Sequence, residues 1–217
     1  MQTNTKKLTT SGLLCAMAYI AMLLSKLIPD VAGFLQMDFK DVIIVTGGFV
    51  LGPVYALIIS AVVALLEMLT VSNTGPIGLI MNIASTAAFC CTAAFVYKVK
   101  RTFRGAFLSL LTGTVVLTVV MLLWNYYITP LYMKVPVDVV ASMLVPVFLP
   151  FNLVKGLINS GLVLMLYRPL VKALSRAGLI QSRTASGEGR KYSHALIIGA
   201  VIVVVCIPFL LNLMGIL

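Results

Sequence analysis

The chain has 217 residues, 61% hydrophobic and only 10% charged, with a net charge of +10 and a single histidine. A soluble domain must cover its surface with more polar groups than this, so the composition excludes a water-soluble globular protein and makes lipid the main solvent. At about 20 apolar residues per spanning helix, the length holds six or seven spans and no separate soluble domain.

In chain order, residues 1–9 form a short tail carrying Lys6 and Lys7, and the first span covers about residues 11–28. The two lysines resemble the start of a secretory signal, but no small-residue cleavage site follows, so the segment reads as a retained first helix. It ends at Pro29-Asp30 and leads into the connection VAGFLQMDFKD. A short second span, residues 42–51, stops at Gly52-Pro53, because a proline disfavours helix at the residue before it. The third span, residues 54–69, follows at once. VSNTGPIG is a turn-rich break before the fourth span at about 79–97, and KVKRTFR is an aqueous loop.

The fifth span, about 106–127, meets ITPLYMKVPVD, a loop with two prolines. Pro146 and Pro150 interrupt the next apolar run, and the regular sixth helix is expected to begin near Pro150, where a first-turn proline costs little. The core therefore covers residues 10–175. A basic linker, residues 176–194, precedes a last apolar run at 195–217, long enough to be a seventh span with Pro208 as its kink. The fold class is an all-α integral membrane protein, a six-helix bundle with an additional C-terminal transmembrane helix.

Charge sets the orientation. With the N-terminus inside and every segment crossing, the cytoplasmic side holds Lys6, Lys7, Lys98, Lys100, Arg101, Arg104, Arg168, Lys172, Arg176, Arg183, Arg190 and Lys191. The outer loops keep Lys26, Lys40 and Lys134. This asymmetry follows the positive-inside rule and explains the basic balance without nucleic acid. Asp30, Asp38, Asp41, Glu67 and Asp138 then lie toward the outer face. The four cysteines all sit in apolar segments and read as packing residues, since helix neighbours such as Cys90 and Cys91 point about 100° apart. His194, in the linker, is expected to be solvated. No nucleophile, base or metal-ligand set and no phosphate-binding glycine loop is present, so an enzyme is not expected, no metal is called for, and ATP-driven work would need a partner.

Polar groups inside lipid are costly and draw attention as functional candidates. PFNLVKGLIN places Asn152, Lys155 and Asn159 at i, i+3 and i+7, one stripe of a helix. Lys155 is about 20 Å of helix from Arg168 and cannot reach the cytoplasmic surface. Two readings stay open: it snorkels outward, or it donates a hydrogen bond to an oxygen-rich ligand. Asn125 and Asn82, at the outer ends of the fifth and fourth spans, add side chains that each donate and accept. Several such amides suit a planar heterocycle with alternating N–H and C=O groups, such as a flavin or pyrimidine. Phe34, Leu35, Met37, Phe39, Trp124, Tyr126 and Tyr127 could sandwich its face, although aromatics near a membrane surface are also ordinary belt residues. On the first span, Gly12 and Ala16 form a small-xxx-small pair that lets another helix approach.

The runs FLQMDFKDVIIVTGGFVLGP, NYYITPLYM and PFNLVKG, in this order and spacing, resemble the riboflavin-specific S components of energy-coupling-factor (ECF) transporters over about residues 10–175. The resemblance implies a six-helix, N-inside protein of the cell membrane that binds riboflavin from outside, with no cofactor of its own. It also implies partnership with a transmembrane T component and a pair of ATPases. By motif position, Asn125, Asn152 and Lys155 would be polar ligand contacts, and the loop around Phe34, Leu35, Met37 and Asp38 would cover the pocket. Gly12 and Ala16 stand where the family presents AxxxA to its T component. The C-terminal run departs from the family. Binding of FMN, an S component for another vitamin, and a membrane scaffold without ligand remain as alternatives.

Overall fold

The computed structural model describes residues 4–72, 74–180 and 189–215. Among these the regular structure is helical throughout: α1 (Asn4–Ser25), α2 (Lys40–Leu51), α3 (Pro53–Thr70), α4 (Gly75–Thr86), α5 (Thr92–Val99), α6 (Phe103–Tyr127), α7 (Thr129–Met133), α8 (Val137–Met143), α9 (Leu149–Arg176) and α10 (Gly189–Leu213). Wider π-type turns, Ala87–Cys91 and Leu144–Phe148, join α4 to α5 and α8 to α9. Two continuous helices result, Gly75–Val99 and Val137–Arg176.

Among the described residues six helices are long and apolar enough to cross a membrane, and α2 is not one of them. Its 12 residues span about 18 Å against a hydrocarbon core of about 30 Å. It is tolerated because it lies inside the protein. Nine of those residues are buried, and Val42, Ile44, Val45 and Phe49 pack in one core with Leu14 and Ala18 of α1, Ala56, Ile59 and Val63 of α3, and Ala93 and Ala94 of α5. Small residues let its neighbours close in: a Cβ at Gly48 would lie 2.8 Å from that of Ala94 and 3.1 Å from that of Ala56. Gly52, at φ 109°, makes the turn into α3 that a side chain would resist, and Pro53 opens α3 at a position needing no N–H.

Several boundaries move from their sequence expectations. Helix α1 begins at Asn4 rather than near residue 11, because the polar KKLTTS segment still forms helix. There the hydroxyls of Thr9, Thr10 and Ser11 bond back to the carbonyls of Thr5, Lys6 and Lys7. The expected start of the sixth helix near Pro150 is corrected to Val137. Pro146 sits in the π-type turn and Pro150 in the first turn of α9, and the helix runs through both. Asn73, residues 181–188 of the basic linker and residues 216–217 of the last run lie outside the described residues.

The C-terminal α10 packs along α9. At their crossing a Cβ on Gly161 would lie 2.8 Å from the Gly199 carbonyl oxygen, and one on Gly199 would lie 2.6 Å from that of Gly161. Only glycine at both positions allows backbones this close. Large apolar side chains such as Leu27, Val54, Leu69 and Val204 point outward, as a lipid-facing surface requires.

Candidate functional site

The connection between α1 and α2 folds down onto α9. Val31 and Leu35 exchange backbone hydrogen bonds of 2.8 and 2.9 Å, closing a tight turn. The Phe39 N–H donates to Ser25 Oγ at 2.8 Å, so the connection is tied to the end of α1 just before α2 begins. Leu35, Met37 and Phe39 pack in a second apolar cluster with Phe151, Val154 and Ile158 of α9, while Phe34 lies tilted against Phe148 with ring centroids 5.8 Å apart.

At the start of α2 the charges gather. Lys40 is fully buried and bonds both Asp38 and, at 2.9 Å, Glu67 of α3; Lys26 reaches the other Glu67 oxygen at 2.9 Å. Asp38 Oδ1 also accepts the Lys40 backbone N–H at 3.1 Å. Burial pushes the Asp38 carboxyl up, but the Lys40 and Lys155 charges and the hydrogen bonds from Lys40 outweigh it and hold the group below its ordinary value. Asp41 Oδ1 accepts from Thr86 Oγ1 of α4 at 2.8 Å, and Asp41 Oδ2 is buried without a hydrogen-bond partner. The charge pattern along the chain puts Lys40 in an outer loop, whereas the fold buries it between Asp38 and Glu67, with Thr86 alongside on Asp41. The signal was the alternation of acid and base in Asp38, Lys40 and Asp41 before an apolar run, with a lone acid near the end of the next span.

Beside this cluster runs the polar stripe of α9, with Asn152, Lys155 and Asn159 all buried. Asn159 Nδ2 donates to the Asp38 carbonyl at 3.0 Å, fastening the connection to α9, and its Oδ1 is buried without a donor. Asn152 Nδ2 turns back to the Phe148 carbonyl at 2.8 Å. Lys155 makes no direct hydrogen bond or ion pair among the described residues, yet its charge acts on Asp38. The helix that carries Lys155 starts at Val137, about 27 Å outward from it, and not a turn and a half away near Pro150.

On α6, Asn125 Nδ2 bonds the Met121 carbonyl at 2.7 Å, and its Oδ1 accepts from Thr129 at 2.8 Å. Gly156 of α9 meets Thr114 of α6, where a Cβ would lie 2.6 Å from Thr114 Cγ2. Counting outward along the two antiparallel helices from that contact puts Asn125 about 10 Å beyond Asn152 along the bundle axis. Asn82, half-buried, shares a face of α4 with Thr86, the partner of Asp41.

Tyr126 departs from the rest of the expected set. It is 39% exposed and edge-on to the exposed Tyr127, at 4.9 Å between centroids, on the outside of α6. One residue of helix is about 100° of rotation, so burying Asn125 turns Tyr126 outward. Gly12 and Ala16 are exposed together on α1, and nothing lies within 4 Å of a Cβ placed on Gly12. Among the described residues no group of three or more His, Cys, Asp or Glu side chains is placed to hold a metal ion.

Residues 6–167 match the family model described as the substrate-specific component of ECF transporters. The chain belongs to this family. Its fold class is thereby that of a multi-pass S component, and an enzyme is set aside. A riboflavin transporter RibU of Staphylococcus aureus is 34% identical over 182 residues, covering 81% of this chain and 95% of that protein. The riboflavin transporter FmnP of Bacillus subtilis is 28% identical over 70% of this chain and 85% of its own length. The solved S component of a bacterial ECF transporter superposes with a TM-score of 0.67 at 33% identity, covering 80% of this chain and all of that one. This S component carries α10 beyond the last residue of the family match.

Proposed function

We propose that this S component captures riboflavin between the α1–α2 connection and the polar stripe of α9, and delivers it to an ATP-driven partner assembly. The observation that carries the reading is Lys155, a buried ammonium with no direct hydrogen bond or ion pair among the described residues, flanked on its own helix face by the buried amides of Asn152 and Asn159. An ammonium and amides that both donate and accept match the alternating polar edge of the flavin ring. Phe34 and Leu35, half-buried in the connection, supply an apolar face for its plane, while Met37 packs behind them in the cluster shared with α9 and α10. The names of the relatives support riboflavin over other vitamins.

The orientation that fits is N-terminus inside, with the α1–α2 connection facing out, because the basic loops lie at the other end of the bundle. A T component and a pair of ATPases complete the transporter, and the exposed Gly12 and Ala16 face offers a helix contact for the T component. Substituting Gly12→Leu should leave riboflavin binding by the isolated protein unchanged and reduce uptake by the assembled transporter. Loss of both would assign this face to folding.

The decisive experiment is the visible absorption spectrum of the protein purified in detergent from riboflavin-fed cells. A near-stoichiometric flavin band released on denaturation is the expected result. A colourless protein that also fails to quench added riboflavin fluorescence would overturn the reading.

A further inference from the structure

The second apolar cluster is shared by three elements. Val31 and Met37 come from the α1–α2 connection, Phe151, Val154 and Ile158 from α9, and Cys206 and Leu210 from α10, with Ile202, Leu213 and Met214 at its margin. On α10, Gly199, Cys206, Leu210 and Leu213 recur at i, i+7, i+11 and i+14 and so share one helix face. That face begins at the glycine crossing with Gly161 and ends against the connection. Residues 151, 154 and 158 alternate on α9 with the polar positions 152, 155 and 159. The same helix therefore presents its polar stripe to the site and its apolar stripe to α10.

We infer that α10 is a latch for the α1–α2 connection: Cys206 and Leu210 are positioning residues that hold Val31 and Met37 against α9 and so slow ligand escape. Lifting the connection off α9 strips Val31 and Met37, only 1% and 3% exposed, from the cluster they share with α9 and α10. The backbone-close Gly161–Gly199 crossing fixes how deeply the Leu210 end of α10 reaches under the connection. Opening the connection breaks contacts with α10, whereas ligand approach to an already open connection does not. The latch therefore acts on release more than on capture.

The effect on ligand exchange rests on the riboflavin reading, but the latch itself can be tested without ligand. Amide hydrogen exchange in lipid nanodiscs would follow Val31 and Leu35, whose N–H groups close the turn, with Leu117 in the interior of α6 as the reference. The variants are deletion of residues 189–217 and, should that shorter chain fail to fold, Gly199→Leu, which keeps the helix but forces it from Gly161. Exchange at Val31 and Leu35 should quicken about tenfold with Leu117 unchanged, as local opening requires. Riboflavin release should rise about tenfold while its association rate changes less than about twofold. Unchanged exchange at the connection, or equal acceleration at Leu117, overturns the latch. Altered exchange in a protein that never binds riboflavin would uphold the latch and reject the ligand.

Discussion

Two polar regions lie side by side, and, the bare Asp41 Oδ2 apart, they are satisfied in opposite ways. At the start of α2, Lys40, Asp38, Glu67 and Lys26 bond one another across three segments of chain. On α9 and α6, Asn152 and Asn125 spend donors on carbonyls of their own helices, Asn159 keeps a bare Oδ1, and Lys155 makes no direct hydrogen bond or ion pair among the described residues. Burial is similar in both, apart from Lys26, which is exposed. Charges that complete one another hold segments together; groups left partly unmet are the ones able to recruit a ligand.

The sharpest way to break this contrast is Lys40→Met. It leaves Glu67 with only Lys26 and Asp38 with only the more distant charge of Lys155, and removing one partner of a buried pair costs about 3–5 kcal/mol. Thermal unfolding in detergent should show a large loss of stability, and a melting temperature equal to the parent's would place the cluster outside the fold's support. Lys155→Ala should do the reverse. Riboflavin affinity should fall by more than about 1.5 kcal/mol, roughly tenfold, with little change in melting temperature. Titration of riboflavin fluorescence reads this directly, and unchanged affinity would remove Lys155 from the site.

Acid offers a milder probe. Asp38 titrates below its ordinary value of 3.8, so its stabilising contribution is complete above that value and is lost as pH falls through the lower value in the folded protein. Its melting temperature contribution should therefore be flat from pH 7 to 5 and decline only below about pH 4. The smallest effect belongs to Tyr126→Leu, an outward position, where both stability and riboflavin affinity should stay within about 0.5 kcal/mol of the parent.

The sequence already revealed the break at Gly52-Pro53, because that dipeptide acts on backbone angles alone. It revealed the α9 stripe for a similar reason, since i, i+3 and i+7 spacing needs no knowledge of neighbours. Pro146 and Pro150 misled because a π-type turn, which depends on packing around it, absorbs what would end an ordinary helix. Lys40 was illegible as a buried residue because its partner Glu67 is 27 positions away and comes near only once α2 and α3 are paired. Tyr126 and Asn125 were placed together by composition and parted by rotation about α6.

The brevity of α2 bears on how the protein is built. Twelve residues with Lys40 and Asp41 at one end are too short and too polar to partition into lipid unaided. Its seat is made by other helices, and Glu67, which neutralises Lys40, is synthesised only at the end of α3. The seat of α2 is therefore complete only when α3 and α5 lie against it. The innermost helix of the finished protein is the one whose enclosure waits on the rest of the chain.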